Sequence, residues 1–162
     1  MRGYFAVGIF HPKTKVNVGT LWRTALSLGA NFVFTVGNRY HRQSSECKSL
    51  GSLPLFEYLD LEEFKAGLPL DCLVVGVEID EKALPIKSFV HPTRCVYLLG
   101  AEDYGLTAPA KQACHLLVQL PGEVCHNVAV AGAMVMYDRI VRGNVFNEST
   151  AAKLSERFLR RA

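Results

Sequence analysis

Cys95-Val96-Tyr97-Leu98-Leu99-Gly100-Ala101-Glu102-Asp103-Tyr104-Gly105-Leu106-Thr107 runs from a strand into the start of a helix. Its apolar residues are consecutive rather than alternating, the pattern of a strand covered on both faces. Gly100 and Gly105 allow a tight polar turn, Thr107 is a helix-capping residue, and Pro109 suits a first helical turn. Outward from this stretch, similar apolar runs occupy Tyr4 to Phe10, Asn31 to Val36, Leu53 to Tyr58, Cys72 to Val77 and Leu116 to Leu120. Branched and aromatic residues in short runs favour strands. Between them, Leu21, Trp22, Ala25, Leu26 and Leu28 recur at helical spacing until Gly29, and Val128 to Arg142 forms an apolar helix stopped by Gly143. The expected fold is α/β, a mainly parallel sheet with helices on both faces.

The chain has 162 residues, 49% hydrophobic and 20% charged, which suits one compact domain with a sizeable core. Residues 1–143 are expected to form it, and 144–162 a C-terminal tail of helical character. No apolar run approaches the roughly 20 residues needed to cross a bilayer, and Met1-Arg2-Gly3-Tyr4 leads into a strand without a secretory pattern. A cytoplasmic protein is expected. Five cysteines without a Cys-x-x-Cys pair read as free thiols and argue against a disulfide framework or a zinc site. The net charge of +3 suits a polyanionic partner, yet many ordinary enzymes share it.

Three polar, glycine-bearing clusters fall where strands end and helices begin, the edge at which open α/β sheets bind ligands. The first is Asn17-Val18-Gly19-Thr20-Leu21-Trp22-Arg23, with Asn17 placed to cap the helix. Alone it equally fits a capped helix with an exposed arginine. The second is Gly100 to Leu106, which alone reads as well as a turn with Glu102 solvated. The third is Leu120-Pro121-Gly122-Glu123-Val124-Cys125-His126-Asn127, with Asn127 placed to cap the following helix. Small residues Ala129, Ala131, Gly132 and Ala133 in that helix suit close packing against another backbone.

In this order and spacing, N-x-G-x-x-x-R, G-x-E-x-x-G-L and a proline-to-asparagine loop before a small-residue helix resemble the SpoU/TrmH branch of the SPOUT RNA methyltransferases, from about Tyr4 to Gly143. The resemblance implies a C-terminal deep trefoil knot and a homodimer whose subunits complete each other's active site. It also implies S-adenosylmethionine held near Val77, Gly100, Leu120, Cys125, His126 and Asn127, without a metal. Catalytic roles fall on Arg23, Asn17, Glu102 and Asn127. Relatives commonly carry Ser-Leu-Asn where this chain has Cys125-His126-Asn127. A thiol hydrogen-bonds more weakly than a hydroxyl, which leaves more of the polar work to Asn127.

The implied reaction is methyl transfer to the 2′-hydroxyl of an RNA ribose, with tRNA the first choice of substrate and ribosomal RNA the second. An arginine is a poor general base, so Arg23 is expected to bind the phosphate beside the target ribose and stabilise developing alkoxide, with Asn17 and Glu102 fixing its position. The polar connection Gly37 to Ser52 supplies Arg39, His41, Arg42 and Lys48 as candidate RNA contacts, with Arg2 and the tail arginines in reserve. Two other readings are a non-catalytic RNA-binding or assembly protein that keeps the fold, and a different nucleotide-binding α/β enzyme. The second lacks both G-x-G-x-x-G after the first strand and G-x-x-x-x-G-K-[ST].

Overall fold

The computed structural model describes residues 4–40 and 53–143. Expectations resting on Arg2, His41, Arg42, Cys47, Lys48 and the tail 144–162 lie outside the described residues. In chain order the elements are β1 (Tyr4–Phe10), α1 (Lys15–Leu28), β2 (Val33–Val36), β3 (Leu55–Tyr58), α2 (Leu61–Ala66) and β4 (Leu73–Val77). They continue with β5 (Leu84–Pro85), a single 3-10 turn (Ile86–Ser88), β6 (Arg94–Leu99), α3 (Ala108–Gln112), β7 (Leu116–Gln119) and α4 (Val128–Arg142).

The strands form one sheet in the order β3-β2-β1-β6-β4-β7-β5, every neighbouring pair parallel. Side chains alternate across it, as the two-residue strand period requires. Phe5, Val7 and Ile9 of β1 join Tyr97 and Leu99 of β6 beneath Leu21 and Trp22 of α1 and Val135 and Met136 of α4. Ala6, Phe10, Val96 and Leu98 face the other way, with Phe34, Phe64 of α2 and Ala110 of α3. Both faces of the central strands are therefore covered, and each fully buried side chain such as Leu21, Phe34 or Leu98 contributes about 1.5–3 kcal/mol.

The strands are shorter than the apolar runs because their flanking residues serve other ends. Asn31 accepts the Phe5 N–H through its side chain at 3.0 Å, and the Leu53 carbonyl accepts the Trp22 indole N–H at 3.0 Å. The two-residue β5 carries no periodicity, and its Pro85 is tolerated at the sheet edge. One assignment is corrected: Thr14, not Asn17, caps α1, its hydroxyl accepting the Asn17 N–H at 3.4 Å. Asn17 thus lies inside the first turn with its amide free to point elsewhere. Gly29, at φ 78°, ends α1 as expected.

Helix α4 begins at Asn127 and ends at Gly143, as the sequence indicates. It packs on α1 through Gly132, where a Cβ would collide with Leu21 Cδ1 and lie 2.9 Å from Leu99 Cδ1. At Gly132 the missing Cβ makes room for the Leu21 and Leu99 side chains. The outer face is not buried: Val130, Tyr137 and Val141 are 49%, 63% and 53% exposed. Near its C-terminal end, buried Arg139 donates to the Pro92 and Thr93 carbonyls and to the Tyr97 hydroxyl, which fixes the helix to the entry of β6. Among the described residues no helix is long and apolar enough to cross a membrane.

Candidate active site

At the C-terminal edge of the sheet, the exits of β4, β6 and β7 and the start of α4 surround a cleft of about 230 Å³. Val77, Gly100, Leu120, Cys125 and His126, drawn from three separate stretches, all line it. Asn127 does not; its side chain turns to α4 and to Asn17. The floor is apolar, from Val77, Leu99, Leu120, Val128 and Ala131. Among the described residues the charged lining consists of Glu78, Glu102 and Asp103, without a lysine or arginine. Among the described residues, Gly122 to His126 make no backbone-to-backbone hydrogen bond, so the peptide groups of this wall are open to a ligand.

The turn after β6 needs its glycines. Ala101 and Gly105 exchange N–H···O bonds of 3.0 and 2.9 Å, which folds the turn so tightly that a Cβ on Gly100 would lie 2.5–2.7 Å from the Gly105 and Leu106 backbone. Gly105 has φ 69°, a left-handed conformation. Glu78 clamps this turn, accepting from the Leu106 N–H through one oxygen and from the Ile79 N–H through the other. Sequence reading missed Glu78; its position just beyond a central strand, at the ligand-binding edge, was the available signal.

A side-chain chain then links the three motifs. Glu102 Oε1 accepts from Asn17 Nδ2 at 2.8 Å and Thr14 Oγ1 at 3.4 Å, and Oε2 accepts from the Lys13 N–H at 2.9 Å. Asn127 Nδ2 donates to Asn17 Oδ1 at 3.0 Å, and Asn127 Oδ1 accepts the Ala129 and Val130 N–H groups. Chemistry fixes every orientation. A carboxylate only accepts, so the Asn17 amide nitrogen must face it; its oxygen then takes the Asn127 amide, whose own oxygen caps α4. Burial opposes ionisation of Glu102, but the donors from Asn17, Lys13 and Thr14 prevail and hold its carboxyl below its ordinary range.

Beside this chain stands a second cluster. Arg39 donates from both terminal nitrogens to Asp103 at 2.9 and 2.8 Å and from Nε to the His11 carbonyl at 2.9 Å. Its guanidinium lies 5.2 Å from the centre of the Tyr104 ring, and His11 Nδ1 hydrogen-bonds the Tyr104 hydroxyl at 2.6 Å. The bond from Arg39 holds the Asp103 carboxyl below its usual range, while burial, and then Arg39, push the His11 imidazole down and keep it neutral at pH 7. Arg39, a candidate RNA contact, is thus engaged within the chain.

Arg23 is exposed on α1 and makes no hydrogen bond or ion pair among the described residues. Six residues beyond Asn17, it lies about 9 Å along the helix and about 120° around it. The expected grip of Asn17 and Glu102 on Arg23 is not found; the arginine beside Glu102 is Arg39, 3.8 Å away. Cys125 is exposed, and His126 Nε2–H donates to the Pro121 carbonyl at 2.6 Å, closing the loop on itself. Among the described residues no three His, Cys, Asp or Glu side chains gather as a metal site.

Comparison with known proteins agrees with this architecture. A model of the SpoU rRNA methylase family matches residues 4–137. The 23S rRNA (guanosine-2'-O-)-methyltransferase RlmB of Acinetobacter baylyi is 38% identical over 68 residues, 40% of this chain and 27% of that protein. The AdoMet-bound rRNA methyltransferase structure from Sinorhizobium meliloti superposes with a TM-score of 0.77 at 20% identity, covering 88% of this chain and 57% of the other. A structure described as giving insights into the 2-OH methylation of C/U34 on tRNA superposes with a TM-score of 0.71 at 19% identity, covering 88% of this chain and 99% of that one. The chain thus spans about a quarter of the curated relative's length. Because the family model covers both the sheet and the three motifs that meet at its edge, the chain belongs to the SpoU rRNA methylase family.

Proposed function

We propose that this protein transfers a methyl group from S-adenosylmethionine to the 2′-hydroxyl of an RNA ribose. The observation that carries the reading is the cleft's lining. An apolar floor, open peptide groups and three carboxylates, with no lysine or arginine among the described lining residues, suit a nucleoside that carries a sulfonium and an ammonium. They disfavour a polyphosphate nucleotide, which calls for basic side chains or a helix N-terminus. When bound, the cofactor supplies an electrophilic methyl. The chain's own residues then have to place the ribose oxygen in line with it, exclude water and offset developing negative charge. Val77, Gly100, Leu120, Cys125 and His126 are the residues that would hold the cofactor, and Asn17, Glu102 and Asn127 those that would place the ribose.

The site is shared between two copies of the chain in this reading. Arg23 has no partner among the described residues, and the exposed stripe of Val130, Tyr137 and Val141 on α4 offers apolar surface beside α1. Residues 1–143 act as the methyltransferase domain, with its C-terminal third threaded as the family's knot, and the protein works in the cytoplasm. tRNA is the preferred substrate, supported by the tRNA-related structure that the chain matches over nearly its whole length. The match to the 23S rRNA enzyme favours ribosomal RNA as the second reading. His41, Arg42 and Lys48 supply phosphate contacts.

Labelled S-adenosylmethionine, total RNA and nucleotide mapping test the activity. Arg23→Ala should abolish transfer while binding of S-adenosylhomocysteine stays intact; equal loss of both overturns the role given to Arg23. Coexpressing Arg23→Ala with Gly100→Ala tests sharing. Mixed dimers combine an intact cleft with the partner's intact arginine, and random pairing in a two-fold dimer restores about a quarter of wild-type activity. No restoration means that Arg23 serves its own chain.

A further inference from the structure

We propose that Tyr104 is a stacking platform for the nucleobase of the ribonucleotide being methylated, an inference that rests on the RNA reading above. Tyr104 lines the cleft, is 49% exposed, and stands two residues beyond Glu102 in the same turn. An exposed tyrosine on a loop ordinarily rotates freely, but this one is held at two points. His11 Nδ1 fixes its hydroxyl at 2.6 Å, and the Arg39 guanidinium lies 5.2 Å from its ring centre. Both holders are themselves anchored. Arg39 is tied to Asp103 and to the His11 carbonyl, and the His11 ring stacks on Phe10, centroids 3.8 Å apart.

The same bonds decide what this rim can offer a substrate. Arg39, Asp103, Asn17 and Glu102 satisfy one another, and the phenol oxygen is engaged by His11. Arg39 and Asp103 stay 30% and 40% exposed, but their polar groups are paired; the unpaired surface at this rim is the half-exposed Tyr104 ring, with Arg39 over one face. A flat π-face suits a nucleobase, and stacking accepts any base because every base has a π-face. The base is bonded to C1′, next to the carbon that bears the reacting hydroxyl. A ring two residues beyond Glu102, at the end of the Glu102–Asn17–Asn127 chain, is therefore close to where the base of a ribose entering the cleft would lie. The cofactor's adenine is the other source of such a face, and the experiment separates the two.

Tyr104→Phe and Tyr104→Ala are compared with wild type for S-adenosylhomocysteine affinity by calorimetry, for equilibrium binding of total RNA, and for apparent KM and kcat of RNA methylation. Thermal unfolding serves as a folding control. Tyr104→Phe, which keeps the ring, should stay within about threefold of wild type in KM, whereas Tyr104→Ala should raise the RNA KM roughly 5- to 150-fold and leave cofactor-product affinity nearly unchanged. Three results overturn the proposal: an unchanged RNA KM in the alanine variant, equal damage by phenylalanine, or loss of S-adenosylhomocysteine affinity matching the loss for RNA. The last would assign the ring to the cofactor or to holding the turn. A wild-type protein that methylates no RNA defeats the parent reading instead, before either variant is compared.

Discussion

Replacing Asn17 by aspartate keeps the side chain's shape and reverses one contact. Asn17 Nδ2 lies 2.8 Å from Glu102 Oε1, so Asn17→Asp sets two carboxylate oxygens at that spacing. Two unit charges this close repel by roughly 6 kcal/mol at an effective dielectric of about 20 and by roughly 1.5 kcal/mol in water. The Glu102 side chain is 18% exposed, which puts the expected loss between these limits, about 3 kcal/mol at pH 7.5, or about 6–12 °C in Tm for a chain of this size. The sign then depends on pH. In the wild type the Glu102 pKa is lowered from 4.5, so its stabilisation is present above that value and lost as pH falls through the folded-state pKa. In the variant the pair keeps one proton to higher pH than unfolded carboxyls do, so stability is present at low pH and lost as pH rises through the raised value. Thermal unfolding of both proteins from pH 4 to pH 8 should therefore give opposite slopes, with the deficit of the variant largely gone near pH 4.5. A deficit of the same size at pH 4.5 and 7.5, or none at all, refutes the bond between Asn17 and Glu102 as the link between motifs.

Gly100→Ala should weaken S-adenosylhomocysteine binding at least about tenfold with an unchanged circular dichroism spectrum, because its Cβ meets backbone, which cannot rotate aside. Burial lowers the His91 pKa more than its bond to Asp138 raises it, so the unfolded chain takes up the proton first. Urea titrations should show stability rising with pH up to about 6.5 and levelling above it, a rise that His91→Gln flattens. Arg139→Met leaves the Pro92 and Thr93 carbonyls and the Tyr97 hydroxyl short of a donor, and chemical denaturation should register a loss of about 3 kcal/mol.

What the sequence disclosed follows from how local each signal is. Consecutive apolar runs, Gly29, Thr107, Asn127 and Gly143 act within one turn or strand of themselves, so the sheet, the C-terminal end of α1 and both ends of α4 were legible, whereas the cleft lining followed from the family resemblance. Thr14 was overlooked as a cap because Asn17, three residues on, satisfies the same local rule, and only Glu102, 85 residues away, decides which one turns outward. Arg39 shows the same limit in reverse. A basic residue in a polar connection looks like a phosphate contact until Asp103, 64 residues later, is found against it. Glu78 was missed for a third reason: its work is to hold main-chain N–H groups, which leave no trace in residue identity, so only its position at the end of β4 pointed to it.

The partners of these side chains also bear on how a ribose hydroxyl could lose its proton here. A general base needs a pKa near the working pH and a free lone pair aimed at the substrate. Glu102 meets neither need, since three donors hold it and lower its pKa. Asp103 is lowered further from use by its bidentate bond to Arg39. His11 is neutral, but its Nδ1 is occupied by Tyr104. This edge of the cleft is therefore built to align rather than to titrate: its carboxylates act as fixed acceptors that orient amides, and the amides orient the start of α4. Charge stabilisation has to enter from a group that the chain leaves unpaired, and Arg23, exposed and without a partner among the described residues, is such a group. In the proposed reading that cation is Arg23 of a second copy of the chain, and the mixed-dimer experiment decides whether it is supplied in this way.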